Sequence, residues 1–152
     1  MRCFSISICL LSLLVVACDD GTAPPDPRAD ALSQIEQDLL VTINGERTSR
    51  GLPYVVLRED LICAAQHHSK DIGERRACSH NGADGSGPGE RVKACNGGGW
   101  AGEIVACGQQ TPRQAVDGWL NSPGHKGIML DPDQKEVGVA MFGNHWTAIF
   151  DK

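Results

Sequence analysis

Residues 137–150 read VGVAMFGNHWTAIF, and the fold class turns on them. Val137, Val139 and Met141 alternate with Gly138, Ala140 and Phe142, a period of two that belongs to an extended strand. Gly143-Asn144 is a two-residue turn suited to a tight hairpin. In the return strand Trp146, Ala148 and Phe150 share one face, and His145, Thr147 and Ile149 share the other. The chain therefore closes on an antiparallel β-hairpin.

Upstream of it the period changes to that of helices. Thr111-Pro112 opens one, with Thr as cap and Pro in the first position, and Val116, Trp119 and Leu120 form its apolar side. Residues 81–102 hold eight glycines and are predicted to be loop. A longer helix starts near Glu59 or Asp60, with Leu61, Ala64, Ala65, His68 and Ile72 on one face, and frays around Arg75-Arg76. The first helix starts at the capping box Ser33-Gln34-Ile35-Glu36. It carries Leu32, Ile35, Leu39 and Ile43 at helical spacing and ends before Gly51. Helices first and an antiparallel sheet last make the class α+β, in one domain spanning residues 31–152.

Composition narrows the function classes. With 152 residues the chain holds one ordinary domain, and 41% apolar residues suffice for a packed core. Against 19 acidic residues there are 14 Lys and Arg, a net charge of −5, so the clustered cations of a nucleic-acid surface are missing. Seven cysteines point to an oxidising compartment.

The N-terminus reads as an address. Arg2 precedes an apolar run from Phe4 to Val16, too short for a bilayer span and suited to a secretory signal over residues 1–17. Its end, Val15-Val16-Ala17-Cys18, resembles a bacterial lipobox, which implies cleavage before Cys18 and a diacylglycerol on its thiol. Residues 18–30, with Pro24, Pro25 and Pro27, read as an extended tether lifting the domain off a membrane. Ordinary secretion is the alternative.

Four cysteines then remain for the domain: Cys63, Cys78, Cys95 and Cys107. An even number in an exported domain predicts two disulfides, each worth about 2–4 kcal/mol. Of three connectivities, the expectation is Cys63–Cys78 and Cys95–Cys107, the second closing the glycine-rich loop around Trp100 and Glu103. No C-x-x-C pair favours a four-cysteine zinc site.

The chemistry-bearing candidates are His80, Glu103, His125 and His145, whereas His68 reads as a hydrogen-bonded core residue and His67 as its solvated neighbour. A Ser79-His80-Glu103 hydrolase is disfavoured, because no Gly-x-Ser-x-Gly elbow surrounds Ser79. Gly85-Ser86-Gly87-Pro88-Gly89 lacks the Gly-Lys-Ser/Thr of a phosphate loop. Trp119 and Trp146 read as core, and Trp100 as either a cleft residue or a plug for its loop.

An ordered set of motifs resembles a known family. Ile43-Asn44 with Arg47, Gly51-Leu52-Pro53, Ser79-His80, Gly102-Glu103-Ile104, Trp119 to His125, Val137-Gly138-Val139 and His145-Trp146-Thr147 follow one another along residues 32–151. They resemble the CAP superfamily (cysteine-rich secretory proteins, antigen five, pathogenesis-related proteins) in its short bacterial form. The resemblance implies an α-β-α sandwich and a cleft of two histidines and two acids, which in some members binds a divalent metal. By motif His80, Glu103 and His145 match three of the four, and would hold zinc or another divalent ion with one open position. Ile104 and Ala148 replace the family's Asn and Gln, and Ser122 stands where the second acid falls, with His125 of the Ser-Pro-Gly-His variant as its substitute. Arg91 matches an arginine common in bacterial relatives and reads as a structural donor.

The resulting expectation is an extracytoplasmic, lipid-anchored, monomeric binding domain for an envelope, lipid or protein ligand, with no required cofactor and no nucleic-acid partner. The missing second acid weighs against catalysis. The alternatives are a metal-dependent hydrolase acting on envelope material and a structural envelope protein with a vestigial cleft. If Cys18 carries the lipid, Cys18→Ser moves the protein from the membrane to the soluble fraction on cell fractionation; retention in the membrane refutes the anchor.

Overall fold

A computed structural model describes residues 26–152. The signal segment 1–17, Cys18 and the tether up to residue 25 lie outside the described residues. A short 3-10 turn (Pro27–Ala31) is followed by α1 (Gln34–Thr48), β1 (Val56–Leu57), α2 (Glu59–Arg75), α3 (Pro88–Ala94) and β2 (Gly102–Cys107). Then come α4 (Pro112–Leu120), α5 (Pro123–Met129), β3 (Glu136–Phe142) and β4 (His145–Asp151). The strands form one sheet in the order β1-β3-β4-β2, with β1 parallel to β3 and the other pairs antiparallel.

The class is α+β, and helices cover both faces of the sheet. Alternation along β3 and β4 sorts the two layers. Val137, Val139, Trp146, Ala148 and Phe150 join the core beneath α1 and α4, while Ala140 and Ile149 join Leu61, Ala64, Ala65 and Val92 beneath α2 and α3. Gly138 sits under α2 at so close an approach that a Cβ there would lie 2.0 Å from the Leu61 carbonyl carbon. Gly143 takes φ +62 in the hairpin turn, the backbone such turns require.

Two buried polar side chains tie the first helix to the rest. Glu36 accepts from the Ser33 amide (2.9 Å) and hydroxyl (2.6 Å), so the cap forms through the glutamate rather than by the expected hydroxyl-to-amide bond. Its other oxygen accepts from the Met141 amide, 3.0 Å. Arg47, fully buried, donates to the carbonyls of Pro53, Met129, Asp131 and Gln134. It thereby gathers the end of α1, the following loop, the end of α5 and the approach to β3.

The structure departs from the sequence reading in four places. Residues 88–94 form a helix within the predicted loop: Pro88 opens it, Glu90 reaches back to the Gly87 amide (2.8 Å), and Val92 is buried. The Ser-Pro-Gly-His segment, to which the sequence reading assigned no element, caps and opens helix α5. Order begins before residue 31, because the Asp26 carboxylate accepts from the Arg28 and Leu57 amides. The disulfides are Cys63–Cys95 and Cys78–Cys107, not Cys63–Cys78 and Cys95–Cys107. From Cys63 to the end of α2 the helix rises about 18 Å, so Cys78 cannot fold back to within the roughly 7 Å between Cα atoms that a bridge tolerates. Cys95, capping α3, lies beside Cys63 instead, and Cys107 at the end of β2 meets Cys78, each pair with Cα atoms 6.0 Å apart.

Because the obstacle at Gly138 is helix backbone rather than a movable side chain, Gly138→Ala should destabilise the domain by about 1–3 kcal/mol or more. Chemical denaturation checks this, with Gly124→Ala, where nothing lies within 4 Å of the added carbon, as the contrast.

Candidate functional site

The site is organised by Glu103 on β2, an outer strand of the sheet. Its side chain points into the layer of α2 and α3 and is buried, with the residue only 4% exposed. A carboxylate removed from water needs its charge met, and two neighbours meet it. Arg91 of α3 donates from Nη2 to Oε2 at 2.6 Å, and His80 donates from Nδ1 to Oε1 at 2.9 Å. His68 of α2 stands 3.7 Å from Oε1.

The same side chains hang the loop that carries His80. Arg91 donates to the carbonyls of Ser86 (2.7 Å) and His80 (3.1 Å), and His68 Nε2 donates to the carbonyl of Ser79 (2.8 Å). That bond fixes the His68 tautomer with the hydrogen on Nε2 and leaves its buried Nδ1 unpaired. Burial pushes the His68 pKa down; Arg91 pushes it the same way, while Glu103 opposes. The Ser79 hydroxyl accepts from the Asn81 amide (3.0 Å) and so caps its own turn instead of facing His80 as a nucleophile.

With Nδ1 committed to Glu103, the exposed His80 ring turns its Nε2 outward. His125 of α5 is its neighbour there, with ring centroids 6.0 Å apart. Burial pushes the His125 pKa down, and neighbouring His80 acts in the same direction. At neutral pH His125 is therefore an uncharged imidazole with a lone pair to offer.

The structure thus brings together three of the four sequence candidates: His80, Glu103 and His125. His145 lies elsewhere. Glu103 pairs in register with Ile149, and His145 pairs with Cys107, four residues along the ladder and about 13 Å away. The expected set of His80, Glu103 and His145 around one ion does not assemble. His68 and Arg91 belong to the network instead; a histidine on the apolar face of α2 and an arginine three residues after Pro88 were its only sequence signals. Trp100 is half exposed and lies against Gly89 of α3, where an added Cβ would come within 2.5 Å of its indole nitrogen.

The donor set decides what could sit here. Both Glu103 oxygens are taken by His80 and Arg91, so Glu103 orients a ligand rather than serving as one. His80 and His125 remain. An ion about 2 Å from one nitrogen of each ring is compatible with their spacing, its other positions being left to water or to the bound molecule.

Beyond the loop opens a cavity of about 670 Å³, bordered by His67, Asp71, Asp84 and Glu90. Its carboxylates accept from the amides of Ala83, Ser86 and Gly87, so they serve the loop and do not form a free ligand cluster.

The helix-covered mixed sheet matches a known family. Residues 40–147 match the family model described as CAP, the cysteine-rich secretory protein family, and the chain belongs to that family. It is 30% identical over 123 residues to the uncharacterized protein YkwD of Bacillus subtilis, covering 79% of this chain and 48% of that protein. It is 29% identical over 118 residues to the uncharacterized membrane protein YlbC of the same organism, covering 77% of this chain and 34% of the other. The chain thus spans about half the length, or less, of these curated relatives. Among solved structures it resembles an extracellular protein containing an SCP domain from Bacillus anthracis, with TM-score 0.73 and 27% identity over 86% of this chain and 45% of that one. An outer surface protein from Borrelia burgdorferi shares the fold with TM-score 0.67 and 23% identity, covering 86% of this chain and 98% of that one. Among the described residues no helix is long and apolar enough to cross a membrane.

The His68 environment fixes the sign of a pH effect. Its unfolded-state pKa is the ordinary 6.5 and its folded-state value is lower. Its contribution is therefore complete above pH 6.5 and is lost as pH falls from there through the folded-state value. Thermal melts of the wild type should move down between about pH 7 and pH 5. In His68→Gln that slope should flatten; an equal slope in the variant would place the proton uptake elsewhere.

Proposed function

We propose that this chain is an extracytoplasmic, lipid-anchored CAP domain that works as a binding module. Its ligand, an envelope, lipid or protein component, is taken at the His80–His125 cleft, directly or through a bridging divalent ion. The observation that carries this reading is the His80–Glu103 pair. A buried carboxylate holds one nitrogen of an exposed imidazole and leaves the other free beside a second neutral histidine. Orienting a ligand histidine through its second nitrogen in this way is how proteins pre-set imidazoles for metals and polar ligands. Location outside the cytoplasm is supported by the two disulfides and by the extracellular relative. The lipid anchor rests on the Ala17-Cys18 motif alone.

Binding is favoured over hydrolysis because Ser122 stands where the motif's second acid, a candidate base, would fall. Glu103 is fully engaged, and Ser122 serves as the N-cap position of α5. A metal-dependent hydrolase is the second reading, supported by the same free Nε2 of His80, which with His125 would hold an ion able to activate water.

Calorimetric titration of the oxidised full chain with zinc tests the cleft. One ion per chain should bind, with the affinity lost in His125→Ala and in His80→Ala but kept in His145→Ala. Binding that depends on His145, or that ignores His80 and His125, removes this site from consideration.

A further inference from the structure

A second group of ligand atoms lies on the outer side of α2. Cys63 and His67 are one helical turn apart and share a face, and Cys95 at the end of α3 closes against them. Their ligand atoms all lie within 4.8 Å of one another, and His67 Nδ1 is 3.9 Å from the Cys95 sulfur. Among the described residues no other three histidine, cysteine or acidic side chains form such a group. His67 is exposed and the two cysteines are half-buried.

While Cys63 and Cys95 are joined, the sulfurs have no charge to offer a cation beside His67. Reduction changes the chemistry of the group. Two thiolates and an imidazole are a soft donor set of the kind that holds zinc, with a fourth position left for water. We infer that Cys63, His67 and Cys95 form a redox-gated site for a soft divalent cation such as zinc, shut by the disulfide and opened by its reduction. The inference is independent of the cleft at His80, since its donors are thiolates.

The step balances with a dithiol reductant of the thioredoxin type. Its two thiols become a disulfide, two electrons break the Cys63–Cys95 bond, and the two protons pass to the released sulfurs. Binding of the cation then displaces those protons. The sulfurs must separate to share an ion, and the chain allows it: Cys95 is followed by Asn96-Gly97-Gly98-Gly99. The rest of α3 stays anchored through buried Val92 and the Arg91–Glu103 pair. His67 is exposed and borders the open 670 Å³ cavity, so the group is reached from the surface.

The test is cobalt titration of the full chain, oxidised and after reduction, desalted without oxygen and followed by absorption and circular dichroism. The reduced protein, still folded, should take up one Co²⁺ with an intense sulfur-to-cobalt charge-transfer band. That band should be absent from the oxidised protein and erased by added zinc. His67→Ala should weaken the affinity by about tenfold or more. The Cys78→Ser/Cys107→Ser double variant should keep the band. The inference is overturned by a reduced protein with no charge-transfer band, or by a band equally strong in His67→Ala. It is overturned equally by a band that vanishes with Cys78 and Cys107, or by one appearing only once the fold is lost.

Discussion

The buried carboxylate of Glu103 is the constraint on which the site depends. An ionised group away from water is tolerated only when its charge and lone pairs are met, and here one arginine and one histidine divide the task. Taking away one partner of such a pair typically costs about 3–5 kcal/mol, because the other charge stays behind uncompensated. The requirement reaches outward. Arg91 must remain on α3, α3 must remain on α2, and the loop from Ser79 to Ser86 must follow, since its carbonyls complete the same donors. The orientation of His80 is thus a by-product of satisfying a charge in the interior.

The sheet supplies the geometry in which this works. β2 lies at its edge, so a side chain on one face of the strand can be reached by a loop that wraps the edge toward α5 on the other face. The opposite layer is fastened by Arg47, whose four carbonyl contacts bring together segments distant in sequence. One buried cation fixes the frame, and one buried anion fixes the cleft.

How much of this the sequence discloses depends on the range of the interaction. The hairpin, α1, α2 and α4 are legible because their apolar periods are long enough to stand out and their turns and caps are local. α3 and α5 are only seven residues each and contain glycine, so their helical character comes from packing and from a first-turn proline rather than from any period. Candidate residues could be named, but their grouping could not. Motif order placed His145 in the cleft, whereas strand register puts it opposite Cys107 and leaves His125 to face His80. The disulfides escaped for the same reason: neighbours in the chain are separated by a rigid helix, and partners are set by how α3 and β2 lie against α2.

The interlaced linkage bears on how the chain reaches its native state. Among the domain's four cysteines, Cys63, Cys78, Cys95 and Cys107, the bridges join first to third and second to fourth. A polypeptide made from its N-terminus presents Cys63 and Cys78 before Cys95 exists. Oxidation in order of appearance joins these two, a pair the finished helix holds apart. The native arrangement is then reached only by thiol–disulfide exchange, a step slow enough without a catalyst to govern maturation. For a domain with this wiring, a catalyst that reshuffles bonds shortens maturation as much as one that makes them.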